Sequence, residues 1–200
     1  MESKKSRIEI CGGIAAGKTT LSKLIQSLGF TSVNEKFKLN PFLNEFYEKP
    51  DLFSFETELT FILQHYHAIK SLRNDKYIVC DFSLYLDYAY ADVTLNTETE
   101  KAVFLSLFNE VVNQISEPDL LIYLKCPSDV ILYRIQKRDR KMESNITIEY
   151  LNKLIKSIEN KIYKSNANII VLNSDQINFA YNVNDQKKVL EIINNKVITH

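Results

Sequence analysis

The segment Gly12-Gly13-Ile14-Ala15-Ala16-Gly17-Lys18-Thr19 decides the fold of this 200-residue chain. It fits the pattern G-x-x-x-x-G-K-[ST] at every fixed position. The residues before it, Arg7-Ile-Glu-Ile-Cys11, predict a short strand, and apolar residues at helical spacing predict a helix over residues 19–28. A strand that enters a glycine-rich turn and continues into a helix is the setting that a phosphate-binding loop requires.

This loop predicts a site for ATP and Mg²⁺. In such loops backbone N–H groups surround the phosphates, the lysine reaches the terminal phosphates and the hydroxyl holds the metal ion. We therefore assign Lys18 to catalysis and ATP binding, and Thr19 to Mg²⁺. Asp81 follows a predicted strand at residues 76–80, and its carboxylate is expected in the same metal shell. The predicted ATP-binding residues of the loop are Gly12, Gly13, Ile14, Ala15, Ala16, Gly17, Lys18, Thr19 and Thr20.

Strand and helix patterns alternate along the rest of the chain. Further strands are predicted at residues 32–34, 119–125 and 167–172, and further helices at 42–48, 55–72, 85–93, 98–115, 127–138, from 147 onward and at 185–197. In the helix at 55–72 we expect Phe55, Leu59, Ile62, Leu63 and Ile69 to face inward. This alternation predicts an α/β protein with a parallel sheet, and the absence of linkers or repeats predicts one domain over residues 1–200.

Composition excludes several classes of protein. The 25 basic residues balance the 25 acidic ones, which argues against binding to nucleic acid through phosphate charge. No apolar run approaches the roughly 20 residues of a membrane span. Cys11, Cys80 and Cys126 are too widely spaced for a disulfide framework or a zinc site. We therefore expect a cytoplasmic protein that binds neither nucleic acid nor membranes.

Three of the five arginines, Arg134, Arg138 and Arg140, fall within seven residues. Because the chain otherwise uses lysine, this cluster predicts an arginine-rich lid over residues 134–146 that stabilises a transferring phosphoryl group. Arg134 and Arg138 are expected to contact ATP as well. Glu35 follows the second predicted strand, which should place it beside the phosphates as a general base. There is no Asn-Lys-x-Asp motif for GTP and no second glycine-rich signature of a transport ATPase, so a kinase is favoured.

These motifs resemble the deoxynucleoside kinase family over nearly the whole chain. The resemblance lies in the phosphate loop, in Glu35, in Asn40-Pro-Phe-Leu-Asn-Glu-Phe-Tyr-Glu-Lys-Pro50, in Asp81-Phe-Ser83 and in the arginine cluster. It implies a five-stranded parallel sheet with helices on both faces, and a homodimer formed through two long helices. It also implies that Tyr47 and Glu143 bind the sugar 3′-hydroxyl and that Phe179 lies against the ATP adenine.

The chain departs from the family pattern around the nucleoside. Phe82 replaces an arginine that helps to hold the 5′ end, and Lys36 or Lys38 is a candidate for the missing charge. Glu58 replaces a glutamine that reads the base, and His65 replaces an arginine of the same pocket. An ionised Glu58 only accepts hydrogen bonds, which favours guanine N1–H and N2–H₂, and Asp87 is expected to act in the same way.

The first interpretation is a kinase that transfers the ATP γ-phosphoryl group to the 5′-hydroxyl of a purine deoxynucleoside, with deoxyguanosine preferred. A nucleoside monophosphate kinase is an alternative, although the acceptor segment at residues 35–58 has lysines and no arginine for a second phosphate. A kinase-like subunit that binds nucleotide without catalysis is a further alternative, and Phe82 is the residue that favours it.

Overall fold

The computed structural model describes residues 6–72 and 74–198, so residues 1–5, 73, 199 and 200 of the predicted domain lie outside the described part. Its centre is one parallel sheet with the strand order β2-β3-β1-β4-β5. The strands are β1 (Ser6–Cys11), β2 (Thr31–Val33), β3 (Tyr77–Cys80), β4 (Leu120–Lys125) and β5 (Ile169–Asn173). The predicted α/β fold with five parallel strands is confirmed.

Eight α-helices connect and cover these strands within the described residues. They are α1 (Lys18–Ile25), α2 (Leu43–Glu48), α3 (Pro50–Ser71), α4 (Leu84–Thr94), α5 (Glu98–Ile115), α6 (Ser128–Arg138), α7 (Ile148–Ile162) and α8 (Val183–Ile198). Short 3-10 turns occupy Gln26–Leu28, Phe37–Leu39 and Lys141–Glu143. No helix in residues 6–72 or 74–198 combines the length and the apolar character that a membrane crossing requires.

The sheet buries a different set of helices on each face, because successive side chains of a strand point in opposite directions. Ile122 of β4 packs in one cluster with Leu21 of α1 and Val189 of α8. Its neighbour Tyr123 packs in the other cluster, with Ile62 of α3, buried side chains of α4 and α5, and Leu154 of α7. Both faces of the sheet are therefore covered, as in other parallel sheets.

Helix α3 differs from its sequence prediction. It begins at Pro50 and not at residue 55, because proline at the first helical position loses no hydrogen bond that the helix needs. Leu63, predicted to face inward, is 48% exposed, and the predicted inward orientation is wrong at this position. Glu58 and His65 are buried on this helix instead. The inner face of α3 is thus partly polar, which is unusual for a core helix and points to a site beside it.

Candidate active site

The loop between β1 and α1 has the geometry of a phosphate-binding loop. Gly12 adopts φ 155°, and a Cβ atom on it would lie 2.9 Å from the carbonyl oxygen of Leu124. Gly17 caps α1 with φ 106°, so both glycines hold conformations that other residues rarely adopt. Lys18 Nζ donates to the carbonyl oxygens of Gly12 (2.9 Å) and Gly13 (3.2 Å). The lysine therefore spans the loop at the N-terminus of α1, where anions bind most readily.

Asp81 connects this loop to the segment that carries Glu35. Its Oδ2 accepts a hydrogen bond from Thr19 Oγ1 at 2.8 Å, and its Oδ1 accepts one from the backbone N–H of Glu35 at 2.5 Å. A hydroxyl and a carboxylate side by side are the oxygen ligands that Mg²⁺ takes when phosphates supply others. The described residues contain no cluster of three or more His, Cys, Asp or Glu for a metal ion, so this pair fits Mg²⁺ only together with a nucleotide.

A cavity of about 710 Å³ opens beside the phosphate loop. It extends from the loop past Glu35 to the inner faces of α3 and α4, and residues of the predicted lid segment line its remaining side. Sixteen of the predicted site residues line it: Ile14, Ala15, Ala16, Gly17, Lys18, Thr19, Thr20, Glu35, Tyr47, Glu58, Asp81, Asp87, Arg134, Arg138, Arg140 and Glu143. One continuous space thus has room for both a nucleotide and a second substrate.

The end of the cavity away from the phosphate loop carries acidic and phenolic groups. Burial raises the pKa of Glu35 above its usual value, although the neighbouring His65 and Lys18 oppose the shift. Burial, together with the nearby Glu143, raises the pKa of Tyr47. Burial also raises the pKa of Glu58 from 4.5 to about 8, and Thr94 Oγ1 donates a hydrogen bond to this carboxyl at 2.9 Å. Glu58 is therefore mainly protonated at pH 7, so it donates as well as accepts.

Two of the three arginines of the predicted lid share the partner Glu143, and the third is held by Ser174. Arg134 Nη2 donates to the carbonyl oxygen of Ser174 at 2.7 Å, and its Nη1 lies 3.5 Å from the carbonyl oxygen of Ala15 in the phosphate loop. Arg138 makes a two-pronged contact with the carboxylate of Glu143, which is 4% exposed. Arg140 Nη1 lies 3.6 Å from the same carboxylate. Guanidinium groups thus converge on one buried acid at the edge of the cavity.

Five predicted contacts do not line the cavity. The structure places Gly12 and Gly13 at the base of the loop, where their carbonyl groups bind Lys18. His65 and Phe82 are buried behind the cavity lining at 3% and 1% exposure, and they stack on one another. Phe179 is 5% exposed and packs against Gly17. These residues therefore shape the site from behind, in contrast to the direct ligand contacts expected of His65, Phe82 and Phe179.

The hypothesis that Lys36 or Lys38 replaces the missing arginine has no support in the geometry. Both side chains are exposed, and neither lies among the residues that line the cavity. Besides Lys18 of the phosphate loop, His65 is the basic group that the structure places beside Glu35, with Nε2 at 3.6 Å from Oε1.

Three tyrosines that were not among the predicted site residues line the cavity: Tyr90, Tyr150 and Tyr181. Tyr181 is 89% exposed and follows Phe179 by two residues, so it is the cavity-lining aromatic side chain of the segment that was predicted to lie against the ATP adenine. Tyr90 and Tyr150 come from α4 and from the start of α7, and only tertiary packing brings them together. No spacing rule along the chain connects them.

Comparisons with known proteins identify the family of this chain. Residues 8–199 match the family model of the deoxynucleoside kinases. A deoxyguanosine kinase of Bacillus subtilis is 28% identical over 91% of this chain and 93% of its own length. A deoxyadenosine kinase of Lactobacillus acidophilus is 32% identical over 95% of both chains. The solved structure of a deoxyadenosine kinase from M. mycoides with bound dATP superposes with a TM-score of 0.78, at 26% identity over 96% of this chain and 98% of the other.

Proposed function

The chain belongs to the deoxynucleoside kinase family of ATP-dependent phosphotransferases, and we propose that it phosphorylates the 5′-hydroxyl of purine deoxynucleosides. The observation that carries this proposal is one cavity that joins the phosphate loop to Glu35, Tyr47 and Glu58. A phosphate-binding end and a hydrogen-bonding end in one space suit a donor and an uncharged acceptor.

The proposed mechanism uses residues from both ends of the cavity. Lys18 and the loop N–H groups bind the donor phosphates, and Glu35 accepts the proton of the attacking 5′-hydroxyl. Burial raises the pKa of Glu35 above its usual value, and a carboxylate with a raised pKa is a stronger base for the hydroxyl proton. Thr19 and Asp81 would hold Mg²⁺, which neutralises charge on the phosphates when bound. Negative charge on the transferring group would be stabilised by the lid residues Arg134, Arg138 and Arg140.

The chemistry of Glu58 at the acceptor end of the cavity suits both purine bases and does not favour one of them. The preference for deoxyguanosine rested on an ionised Glu58, but burial raises the pKa of this group to about 8. A protonated carboxyl offers one donor and one acceptor, which can pair with either adenine or guanine. The relatives bear both names, since one is a deoxyguanosine kinase and another a deoxyadenosine kinase. We therefore propose that both purine deoxynucleosides are accepted at neutral pH, with Tyr47 and Glu143 at the 3′-hydroxyl.

The proposal is tested by phosphoryl transfer from labelled ATP and Mg²⁺ to the four deoxynucleosides and, separately, to their monophosphates. We expect product from deoxyadenosine and deoxyguanosine, and a loss of about 10²–10⁴-fold in kcat for Glu35→Gln. Transfer to monophosphates alone would favour the monophosphate kinase. ATP binding without any transfer would favour the kinase-like subunit.

We further propose that the chain is a single cytoplasmic domain that works as a homodimer through its two longest helices, α3 and α5. Both expose large apolar side chains: Leu63 is 48% exposed, Val103 47% and Leu105 38%. Exposed apolar groups on neighbouring helices favour association. The three cysteines are free thiols, which suits a reducing compartment.

Sedimentation equilibrium tests the dimer. Wild type should sediment as a dimer, and Val103→Lys with Leu105→Lys should shift it towards the monomer. Ile192→Lys is the matched control, because Ile192 is 41% exposed on α8, which covers the opposite face of the sheet. If Ile192→Lys weakened the dimer as much as the α5 double variant, or if the wild type were monomeric, the proposed interface would be contradicted.

A further inference from the structure

His65 lies between two carboxylates in the interior of the protein. Its Nδ1 is 2.8 Å from Asp87 Oδ2, within hydrogen-bond distance, and its Nε2 is 3.6 Å from Glu35 Oε1. The side chain is 4% exposed, and Nε2 has no hydrogen-bond partner among the described residues. A buried nitrogen without a partner is costly unless another state of the site satisfies it.

Phe82 fixes the plane of the imidazole. The two rings are stacked with centroids 3.9 Å apart and planes 7° apart, and Phe82 is only 1% exposed. Phe61 covers the imidazole from within α3, with ring centroids 5.9 Å apart. Because Asp87 also accepts from Nδ1, the ring can neither turn nor flip without loss of a contact. Nε2 is therefore aimed at Glu35 by its surroundings.

The charges around His65 favour its protonated form. Burial alone would lower the pKa of His65, but the carboxylates of Asp87, Glu35 and Glu9 together raise it above its usual value. Besides His65 itself, Lys18 is a basic group that acts on both Asp87 and Glu35. A protonated imidazole donates from both nitrogens, so one can serve Asp87 while the other serves Glu35.

We propose that His65 is a positioning residue that holds the Glu35 carboxylate in place for the 5′-hydroxyl, with Asp87 and Phe82 as the supports of its ring. This inference rests on the proposed function of Glu35 as the base. Closing the gap from 3.6 Å to a hydrogen bond of about 3.0 Å requires a shift of about 0.6 Å, which a side chain in a loop can make. The basic group that orients the Glu35 carboxylate is then His65 of α3. The arginine expected for this purpose at position 82 is replaced by Phe82.

Two substitutions of His65 distinguish the roles of its two ring nitrogens. In His65→Gln the amide nitrogen reaches approximately the position of Nε2, and in His65→Asn it reaches approximately that of Nδ1. We expect His65→Gln to keep kcat within about threefold of wild type and His65→Asn to lose about 10–100-fold, the effect typical of a lost supporting hydrogen bond. The KM values for deoxyadenosine and deoxyguanosine should change less than about twofold in both variants, because His65 does not line the cavity.

The matched controls are His67→Gln and His67→Asn, since His67 is exposed two positions further along the same helix. They should retain wild-type kcat and KM. The proposal is overturned if His65→Asn is as active as His65→Gln. It is also overturned if the loss lies in KM and differs between bases, which would make His65 the base contact expected from the sequence.

An NMR measurement tests the role of His65 independently of kinase activity. In ¹⁵N-labelled protein both ring nitrogens of His65 should resonate in the protonated range, and the Nε2 signal should move in Glu35→Gln while the Nδ1 signal stays. An unprotonated Nε2, or a signal indifferent to Glu35→Gln, would overturn the positioning role even in an active kinase. Conversely, the protein could give the expected signals and yet phosphorylate no deoxynucleoside. That result would support the contact between His65 and Glu35 and contradict the proposed function.

Discussion

Glu58 shows how burial changes the recognition chemistry of one residue. Its side chain is 3% exposed between α3 and α4, and Thr94 donates to one of its oxygens. In water a glutamate is an acceptor at neutral pH, but with its pKa at about 8 this carboxyl is mainly a donor–acceptor pair. Deprotonation above that pH removes the donor and favours a base with two adjacent N–H groups. The base preference should therefore depend on pH.

We predict that the ratio of kcat/KM for deoxyguanosine to that for deoxyadenosine rises between about pH 6.5 and 8.5. The ratio cancels pH effects on Glu35 and on ATP, since both substrates share them. Steady-state assays across this range measure it, and Glu58→Gln, which does not titrate, should give a flat ratio. A rise of equal size in Glu58→Gln would assign the effect to another group.

Tyr181 is an exposed aromatic residue in the connection between β5 and α8. It lines the cavity while Phe179 is buried against Gly17, so Tyr181 is the aromatic ring available to the donor base. Tyr181→Ala should raise the KM for ATP about 5- to 10-fold, at the low end of stacking contributions, with the deoxynucleoside KM unchanged. Tyr163→Ala is the control, since Tyr163 is 57% exposed and lies outside the cavity. An unchanged KM for ATP in Tyr181→Ala would exclude the stacking role.

At the scale of elements, local sequence predicts where strands and helices lie better than what they face. The phosphate loop was predictable because Gly12 and Gly17 hold backbone angles that a pattern of glycines reveals. The inner face of α3 was not, because it is apolar at Ile62 and polar at His65. The stack of His65 on Phe82 joins residues from α3 and from the end of β3, and no periodicity along the chain contains that contact.

Within the proposed lid, Arg138 should contribute strongly to the rate of phosphoryl transfer. Glu143 holds Arg138 in a close ion pair, which fixes the guanidinium in the lining of the cavity. Arg138→Ala should lower kcat by about 10²–10³-fold with a smaller change in the KM for ATP, because the charge acts mainly on the transition state. Single-turnover kinetics measures this, with Lys137→Ala, an exposed neighbour on α6, as the control. If both variants lost a similar factor in kcat, the effect would come from the overall positive charge of this segment and not from Arg138 itself.

At the scale of the whole molecule, the buried carboxyl of Glu58, which we propose reads the base, should lower the stability of the fold as pH rises. The unfolded chain loses the Glu58 proton near pH 4.5, whereas the folded protein keeps it to about pH 8. Between these values the folded state binds more protons than the unfolded state, so stability falls with increasing pH. Since pH 7 lies about 2.5 pH units above 4.5, this loss amounts to about 3 kcal/mol at pH 7.

Glu58→Gln has no proton to lose at this position, so its free energy of unfolding relative to wild type should grow from nearly zero at about pH 4.5 to about 3 kcal/mol at pH 7. Urea denaturation at fixed protein concentration measures the difference, and fixed concentration matters because dimerisation also stabilises the fold. Glu191→Gln, exposed on α8, should show no such growth. A difference for Glu58→Gln that stays constant with pH would mean that Glu58 is ionised in the folded protein. The fold would then bury a charge at the position proposed to read the base, and a Glu58 that only accepts hydrogen bonds would favour deoxyguanosine.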